Sequence, residues 1–367
     1  MPRRVRLYAA ELHYEAGIRL HTATSGAIDA LNEVYLVVEE DGRVLAAGGV
    51  RTNITYLTGV PEPHLHHAIV TLVDTLDWKR SLIDLHRDLS VFENRAHGAA
   101  RALLDCALLD GLARQEGKPL AVYLGAAFRP DCATNQTLFW GSDDQLERNV
   151  RRYLDAGFRT LKLRVGVGTF ADDLRRLRRL REIAGKTVTL AIDVNGTWSE
   201  SEALAHLKAL VPLQIDYVEQ PIAAGDWDAM AALAAASPIP IMLDESLASS
   251  ADIEALASRR AAPLAHLKLV KLGGITPLIA AARLLAASGI GIMVGQMNEG
   301  ALATAAAAHA ALVVQPVYAE LYGAYGLVDD PASGLAYRQG AVVLAARPGL
   351  GVDLDPARLP VLWEKTL

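Results

Sequence analysis

From about Thr134 onward the chain alternates short apolar runs with longer stretches of helical spacing. The apolar runs are Thr134–Trp140, Thr160–Val165, Thr189–Val194, Ile215–Glu219, Ile239–Leu243, Ala265–Val270, Gly291–Gly295 and Val317–Leu321. Between them lie Asp143–Ala156, Phe170–Ala184, Ser199–Leu210, Asp226–Ala236, Ser249–Arg259, Thr276–Ala287 and Gly300–Val313, where apolar residues recur at the helical period. Runs this short and this apolar predict parallel strands buried on both faces, with helices as the crossovers. Eight such strands predict a (β/α) barrel. A doubly wound sheet shares the alternation, but the strand count and the lack of a Gly-rich phosphate loop favour the barrel.

Before this repeat the pattern differs. Val5–His13, the run from Glu33 and the run from Arg43 read as strands, and Asp41-Gly42 between the last two is a hairpin signal. Helical patterns follow at His64–Thr75, Ser81–Asn94 and Ala96–Glu116, the last ended by Gly117-Lys118-Pro119. An α+β unit therefore precedes the barrel. After about Asp329 the strand-like pieces Leu335–Gln339 and Ala341–Ala345 return.

Three apolar runs end in an acid: Asp193 in Thr189-Leu-Ala-Ile-Asp193, Glu219 in Ile215-Asp-Tyr-Val-Glu219, and Asp244 after Ile239-Pro-Ile-Met-Leu243. The spacings are 219 − 193 = 26 and 244 − 219 = 25, the length of one strand-loop-helix-loop unit. Side chains at the C-terminal ends of barrel strands face the active site. Three carboxylates there converge, and hard oxygen donors in that number suit Mg²⁺, with Mn²⁺ as the alternative. Cations sit on other strands. Lys162 and Arg164 alternate along the second strand, so both point inward. Lys268 lies in the sixth, where His266 reads as a packed core histidine. A lysine inside an apolar strand is costly without a partner. Set against a metal-chelated carboxylate, such a lysine can remove an α-proton, while a second cation stabilises the enediolate.

Bulk properties exclude several classes. The 367 residues are 51% hydrophobic and carry a formal charge of −6, with no basic patch interleaved with aromatics, so no nucleic-acid partner is expected. Arg175-Arg-Leu-Arg-Arg-Leu-Arg181 fits the solvated face of a barrel helix. No apolar run has the length of a membrane span; Ala301–Val314 is too short and contains His309, which makes it a buried helix. The first residues, Met1-Pro-Arg-Arg-Val-Arg6, lack an apolar signal core, and the two cysteines, Cys106 and Cys132, fit a reducing compartment, so a cytoplasmic location is expected.

Together these motifs resemble the enolase superfamily, and within it the muconate-lactonizing branch of the mandelate racemase/muconate lactonizing enzyme family. Phe158-Arg-Thr-Leu-Lys162-Leu-Arg164-Val-Gly166 is similar to the family's Lys-x-Lys strand. Asp193-Val-Asn195, Val218-Glu219-Gln-Pro221 and Leu243-Asp244-Glu245-Ser246 resemble its three metal-ligand segments. His266-Leu-Lys268-Leu-Val-Lys271-Leu-Gly-Gly274 resembles its opposing-lysine strand. The resemblance covers nearly the whole chain. It implies an α/β fold: a modified TIM (β/α)7β-type barrel over residues 126–328, an N-terminal α+β capping domain over 1–125 that carries the specificity loops, and a C-terminal segment, 329–367, packed back on the cap. It also implies Mg²⁺ on Asp193, Glu219 and Asp244, Lys268 as base with Lys271 a bystander, a small-molecule carboxylate substrate, and a homo-oligomer.

Two departures shape the expected reaction. The second lysine of Lys-x-Lys is Arg164, which is always protonated and a poor proton acceptor. The expected chemistry is therefore one-base: a dehydratase, or a cycloisomerase of the muconate-lactonizing kind. A racemase or epimerase of an amino-acid derivative or dipeptide is the alternative, and a decayed barrel that merely binds metal or ligand is the reading from another class. On the eighth strand, Glu320-Leu-Tyr322 stands where related epimerases carry Asp-x-Asp to hold an ammonium; Glu320 could pair with a substrate cation. Further substrate contacts are expected from Arg19, His21, Arg51, Asn53 and Tyr56 in the cap loops, with a mobile lid over His13 to Asp29, and from Asn195, Glu245, Gln296 and Glu299 at the barrel rim.

Overall fold

The protein is described here from a computed structural model over residues 3–92 and 97–367. Its N-terminal part is a four-stranded sheet in the order Val361–Thr366, Arg3–Leu12, Leu31–Glu40, Arg43–Arg51. All three pairings are antiparallel. Leu31–Glu40 and Arg43–Arg51 are joined at Asp41-Gly42, where both residues take positive φ (55° and 75°). That is the mirror-image turn whose twist suits a tight hairpin.

One face of this sheet is covered by the helix Gly98–Gln115, in which residues 99–113 are all buried. The close approach depends on glycine: a Cβ on Gly48 would meet Leu103 O at 2.9 Å, and one on Gly111 would meet Ala46 Cβ at 2.8 Å. The helix expected over Ser81–Asn94 is shorter. Ser81 caps Leu82–Asp88 by accepting the Asp84 N–H (3.3 Å), and a 3₁₀ turn, Leu89–Phe92, follows. Asn94 and Ala96, where the two helical patterns end and begin, lie outside the described residues.

The barrel strands are Gln136–Leu138, Thr160–Arg164, Thr189–Asp193, Ile215–Glu219, Ile241–Leu243, Leu264–Lys268, Gly291–Gly295 and Tyr318–Glu320, parallel and hydrogen-bonded in chain order. The Asn135 N–H donates to Ala319 O (3.0 Å), so the first and last strands meet and the sheet nearly closes. The architecture is the expected mixed α/β barrel with a strand-rich cap. The sixth strand corrects one detail: its apolar run continues as a one-turn helix, Leu269–Leu272, ended by Gly273 and Gly274 at φ 95° and 122°. Hydrophobicity alone does not separate a buried strand from a buried helical turn. The bottom of the barrel is plugged by Ala191, Tyr217, Met242, Leu264 and Met293. No helix among the described residues is long and apolar enough to cross a membrane.

Register decides what faces what at the open end. Arg164 pairs with Asp193, and Asp193 with Glu219, so these three stand level on adjacent strands. Lys268 pairs with Gly295, and Gly295 with Glu320, a second level row on the far side. The second and sixth of eight strands are half a turn apart, which sets Lys162 and Arg164 opposite Lys268.

Candidate active site

The C-terminal ends of the strands open into a cavity of about 340 Å³ under the cap. Its floor is ionic. Lys162 Nζ lies 2.8 Å from Glu219 Oε2, 3.7 Å from Asp193 Oδ2, and in direct contact with Glu320. Arg164 is ion-paired with Asp193. On the opposite wall Lys268 Nζ donates to Asp244 Oδ2 at 2.5 Å, and Lys271 Nζ reaches Asp244 Oδ1 at 3.1 Å. Lys162, Asp193 and Glu219 show no exposed surface, and Asp244 and Lys268 almost none.

Charges this deep survive only by pairing. Burial pushes the Glu219 carboxyl up, but Lys162 and His266 outweigh it and hold it below the usual carboxylate range. Lys268 and Lys271 do the same for Asp244. Burial pushes the Lys162 ammonium down, yet Glu219 and Glu320 keep it above its ordinary value. Asp244 and Glu219 likewise hold Lys268 up against burial.

The acids form a donor set suited to a hard divalent cation. Asp193, Glu219 and Asp244 end or follow three consecutive strands, and ligand atoms of Glu219, Asp244 and His266 lie within 4.8 Å of one another. His266 differs from the acids in direction. Its Nδ1 is 2.8 Å from Glu219 Oε1. An ionised carboxylate only accepts, so Nδ1 carries the proton. Nε2 then points at Gly295, where a Cβ would fall 1.9 Å away, and has no partner. His266 thus orients Glu219, and oxygen donors are left to Asp193, Glu219 and Asp244. Each of these three carboxylates has a lysine or arginine against one of its oxygens, the place where a cation belongs.

The other residues expected at the site divide into two groups. Tyr56, Asn195, Glu245 and Gln296 line the cavity. Asn195 donates to Glu245 Oε1 (3.0 Å), while burial and the neighbouring Asp244 raise the Glu245 carboxyl. Arg19, His21, Arg51, Asn53, Glu299 and Glu320 are not in the cavity wall. Arg51 is buried and bonds to Asn53 Oδ1 (2.7 Å) and Asn298 O (3.4 Å), while Glu299 accepts from Met297 N–H (3.1 Å). Glu320 lies beneath the cavity, between Lys162 and Asn135 Nδ2 (2.9 Å). In the small hairpin of Leu20–Thr22 and Gly26–Ile28, which carries His21, it is Thr22 and Thr24 that line the cavity. Phe139, Met297 and Tyr322 also line it, as does Lys271, which the resemblance had left a bystander. Phe139 and Met297 carry no signal in the sequence, while Tyr322 stands in the Glu320-Leu-Tyr322 stretch already set against Asp-x-Asp.

Residues 145–358 match the family model described as enolase C-terminal domain-like. The chain belongs to that family. Among curated relatives it is 26% identical to an N-succinyl-L-Arg/Lys racemase of Bacillus cereus over 92% of both chains. It is 33% identical to a chloromuconate cycloisomerase of Pseudomonas putida over 71% of this chain and 72% of that one. A dipeptide epimerase of Cytophaga hutchinsonii, solved with Mg and D-Ala-L-Val, superposes with a TM-score of 0.89 at 26% identity, covering 99% of this chain and 98% of that one. The protein is thus an enzyme of the enolase superfamily, among racemases, epimerases and cycloisomerases. That leaves the decayed-barrel reading without support.

Proposed function

We propose that this enolase-family chain is a Mg²⁺-dependent racemase or epimerase acting at the carbon α to the carboxylate of an amino-acid derivative. One observation carries the reading: Lys268 and Arg164 line one cavity from strands half a turn apart, and Lys162 and three metal-type carboxylates are gathered at and beneath its floor. Asp193, Glu219 and Asp244 are the residues that would hold the ion, which when bound supplies positive charge that acidifies the α-proton. With Asp244 and Glu219 committed to the ion, the carboxylates that hold Lys268 as an ammonium would be neutralised, and its free amine would take that proton from one face. Arg164, at the cavity wall, and Lys162, one layer below, oppose the negative charge growing on the substrate carboxylate. Asn195, Glu245, Gln296 and Tyr56 are the polar groups within reach of the rest of the molecule.

The racemase and epimerase among the relatives move the reading from the one-base reaction that Arg164 alone suggests to this two-sided one. The second reading remains a one-base cycloisomerase or dehydratase, favoured by Arg164 in place of a basic lysine and by the cycloisomerase relative. Incubation with Mg²⁺ in D₂O separates them. The panel is N-succinyl and N-acetyl amino acids, dipeptides, muconolactone and sugar acids, read by mass spectrometry and chiral chromatography. Deuterium at the α-carbon with inversion is expected, and Lys268→Ala should lower turnover about 10²- to 10⁴-fold. Ring opening or loss of water without inversion would establish the second reading, and near wild-type turnover in Lys268→Ala would sink both.

A further inference from the structure

The cap meets the barrel where the seventh strand ends, and one side chain there is held by the cap yet open to the cavity. We propose that Asn298 Oδ1 accepts a hydrogen bond from the N–H of the substrate's α-substituent, so that Asn298 selects amino acids whose nitrogen is carried as an amide. The proposal rests on the racemase reading above and deepens it.

Asn298 follows the strand Gly291–Gly295 and is 9% exposed. Lys268 pairs with Gly295, so Asn298, three residues on, stands above the level of the base. Its backbone C=O accepts from the Arg51 guanidinium (3.4 Å), and its side chain meets Tyr14; both partners belong to the cap. It lines the cavity beneath that cap.

Hydrogen-bond roles fix which end of the amide faces in. The Tyr14 hydroxyl contacts Gly323 O. A carbonyl only accepts, so the phenol proton is given there, and burial pushes the phenol well up, so it keeps that proton. The Tyr14 oxygen can then only accept, and Asn298 must offer it Nδ2 (2.7 Å). Oδ1 is left on the other side. Among the described residues nothing bonds it, and it is not one of the covered orphan atoms. For a side chain buried apart from its place in the cavity wall, the open side is the cavity.

The other planar oxygens of the wall are engaged or covered. Asp244 Oδ2 and Oδ1 lie against Lys268 (2.5 Å) and Lys271 (3.1 Å). Glu245 Oε1 accepts from Asn195 Nδ2 (3.0 Å), and Asn195 Oδ1 is 3.5 Å from Arg164 Nη1. Glu245 Oε2 and Gln296 Oε1 lack partners but are covered. Asn298 Oδ1 is the amide or carboxylate oxygen left for the substrate, and it is neutral. A buried ammonium demands a carboxylate beside it. An amide N–H is matched by an amide oxygen.

The test takes the amide substrate of the panel that the enzyme inverts fastest and its ester analogue, in which oxygen replaces the N–H and the shape is kept. The two differ in intrinsic reactivity, so the quantity read is the ratio of their kcat/KM values, for deuterium entry at the α-carbon in D₂O with Mg²⁺. In Asn298→Leu this amide-to-ester ratio should fall about 10- to 100-fold from wild type, the usual loss when one partner of a buried hydrogen bond is removed. Tyr14 keeps its acceptor, Gly323 O, in that variant. Asn298→Ala, which asks for less space, should show the same fall if Asn298→Leu folds poorly. An unchanged ratio overturns the proposal alone, whether both rates hold or both drop together; a joint drop marks a residue that only shapes the wall. Inversion of no amide in the panel by the unsubstituted enzyme overturns the racemase reading itself, and this proposal with it.

Discussion

His266 shows what a single side chain adds to a site already rich in charge. Its sequence setting, an apolar strand, reads as core packing; its actual neighbour is Glu219 at 2.8 Å. A histidine that fixes the orientation of a ligating carboxylate commonly sets metal affinity by about 10- to 100-fold when lost. His266→Leu should therefore weaken Mg²⁺ binding by that factor, read by calorimetric titration; an unchanged affinity would return His266 to the core. At this scale the sequence is legible where a residue type is out of place. Asp193, Glu219, Lys162 and Lys268 stand out because a charge in an apolar strand demands a reason. Phe139 and Met297 do not, because an aromatic or a methionine in such a place is ordinary. The cap loops mislead in the other direction. Arg51 and Asn53 are polar and are expected in a loop, yet Arg51 ends a cap strand and spends its fork of donors on neighbouring oxygens rather than on a ligand.

Between elements, the joint of cap and barrel is acidic and buried. The Glu33 carboxylate, on the cap strand Leu31–Glu40, accepts the Gly300 N–H at 2.5 Å, just before the helix Ala301–Val314. Asp330 accepts the next N–H, that of Ala301, at 2.7 Å. Burial, then Asp330 and Glu299, raise the Glu33 carboxyl to about 8, and its Oε2 has no partner. The folded protein thus binds this proton more tightly than the unfolded chain. Its contribution is complete below about pH 4.5 and is lost as pH rises toward 8, at about 1.4 kcal/mol for each unit of separation. Glu33→Gln keeps an acceptor for Gly300 and removes the titration. Between pH 5 and 8 the variant's thermal midpoint should gain on wild type as pH rises, and parallel profiles would count against the assignment. Element order was readable from periodicity, since eight apolar runs and seven crossovers admit few folds. Element ends were not: the sixth strand's turn into Leu269–Leu272 is set by glycines at positive φ, which hydrophobicity does not report.

For the molecule as a whole, the same buried acids that build the site are a source of instability relieved chiefly by their cations. A divalent ion that binds the folded state alone stabilises it by mass action, about 2.7 kcal/mol at a hundredfold excess over its dissociation constant. Mg²⁺ should raise the thermal midpoint, chelation should reverse the rise, and Asp193→Asn should abolish it; a midpoint indifferent to Mg²⁺ would contradict the proposed donor set. The cap sheet has a different vulnerability. Its outer strand, Val361–Thr366, lies antiparallel to Arg3–Leu12 with Thr366 opposite Arg4, so the two ends of the described chain emerge side by side. A force drawing those ends apart loads the hydrogen bonds of this pair one at a time, as a zip is opened, rather than all together in shear. Mechanically, the enzyme would come undone at the cap while the barrel still held its shape.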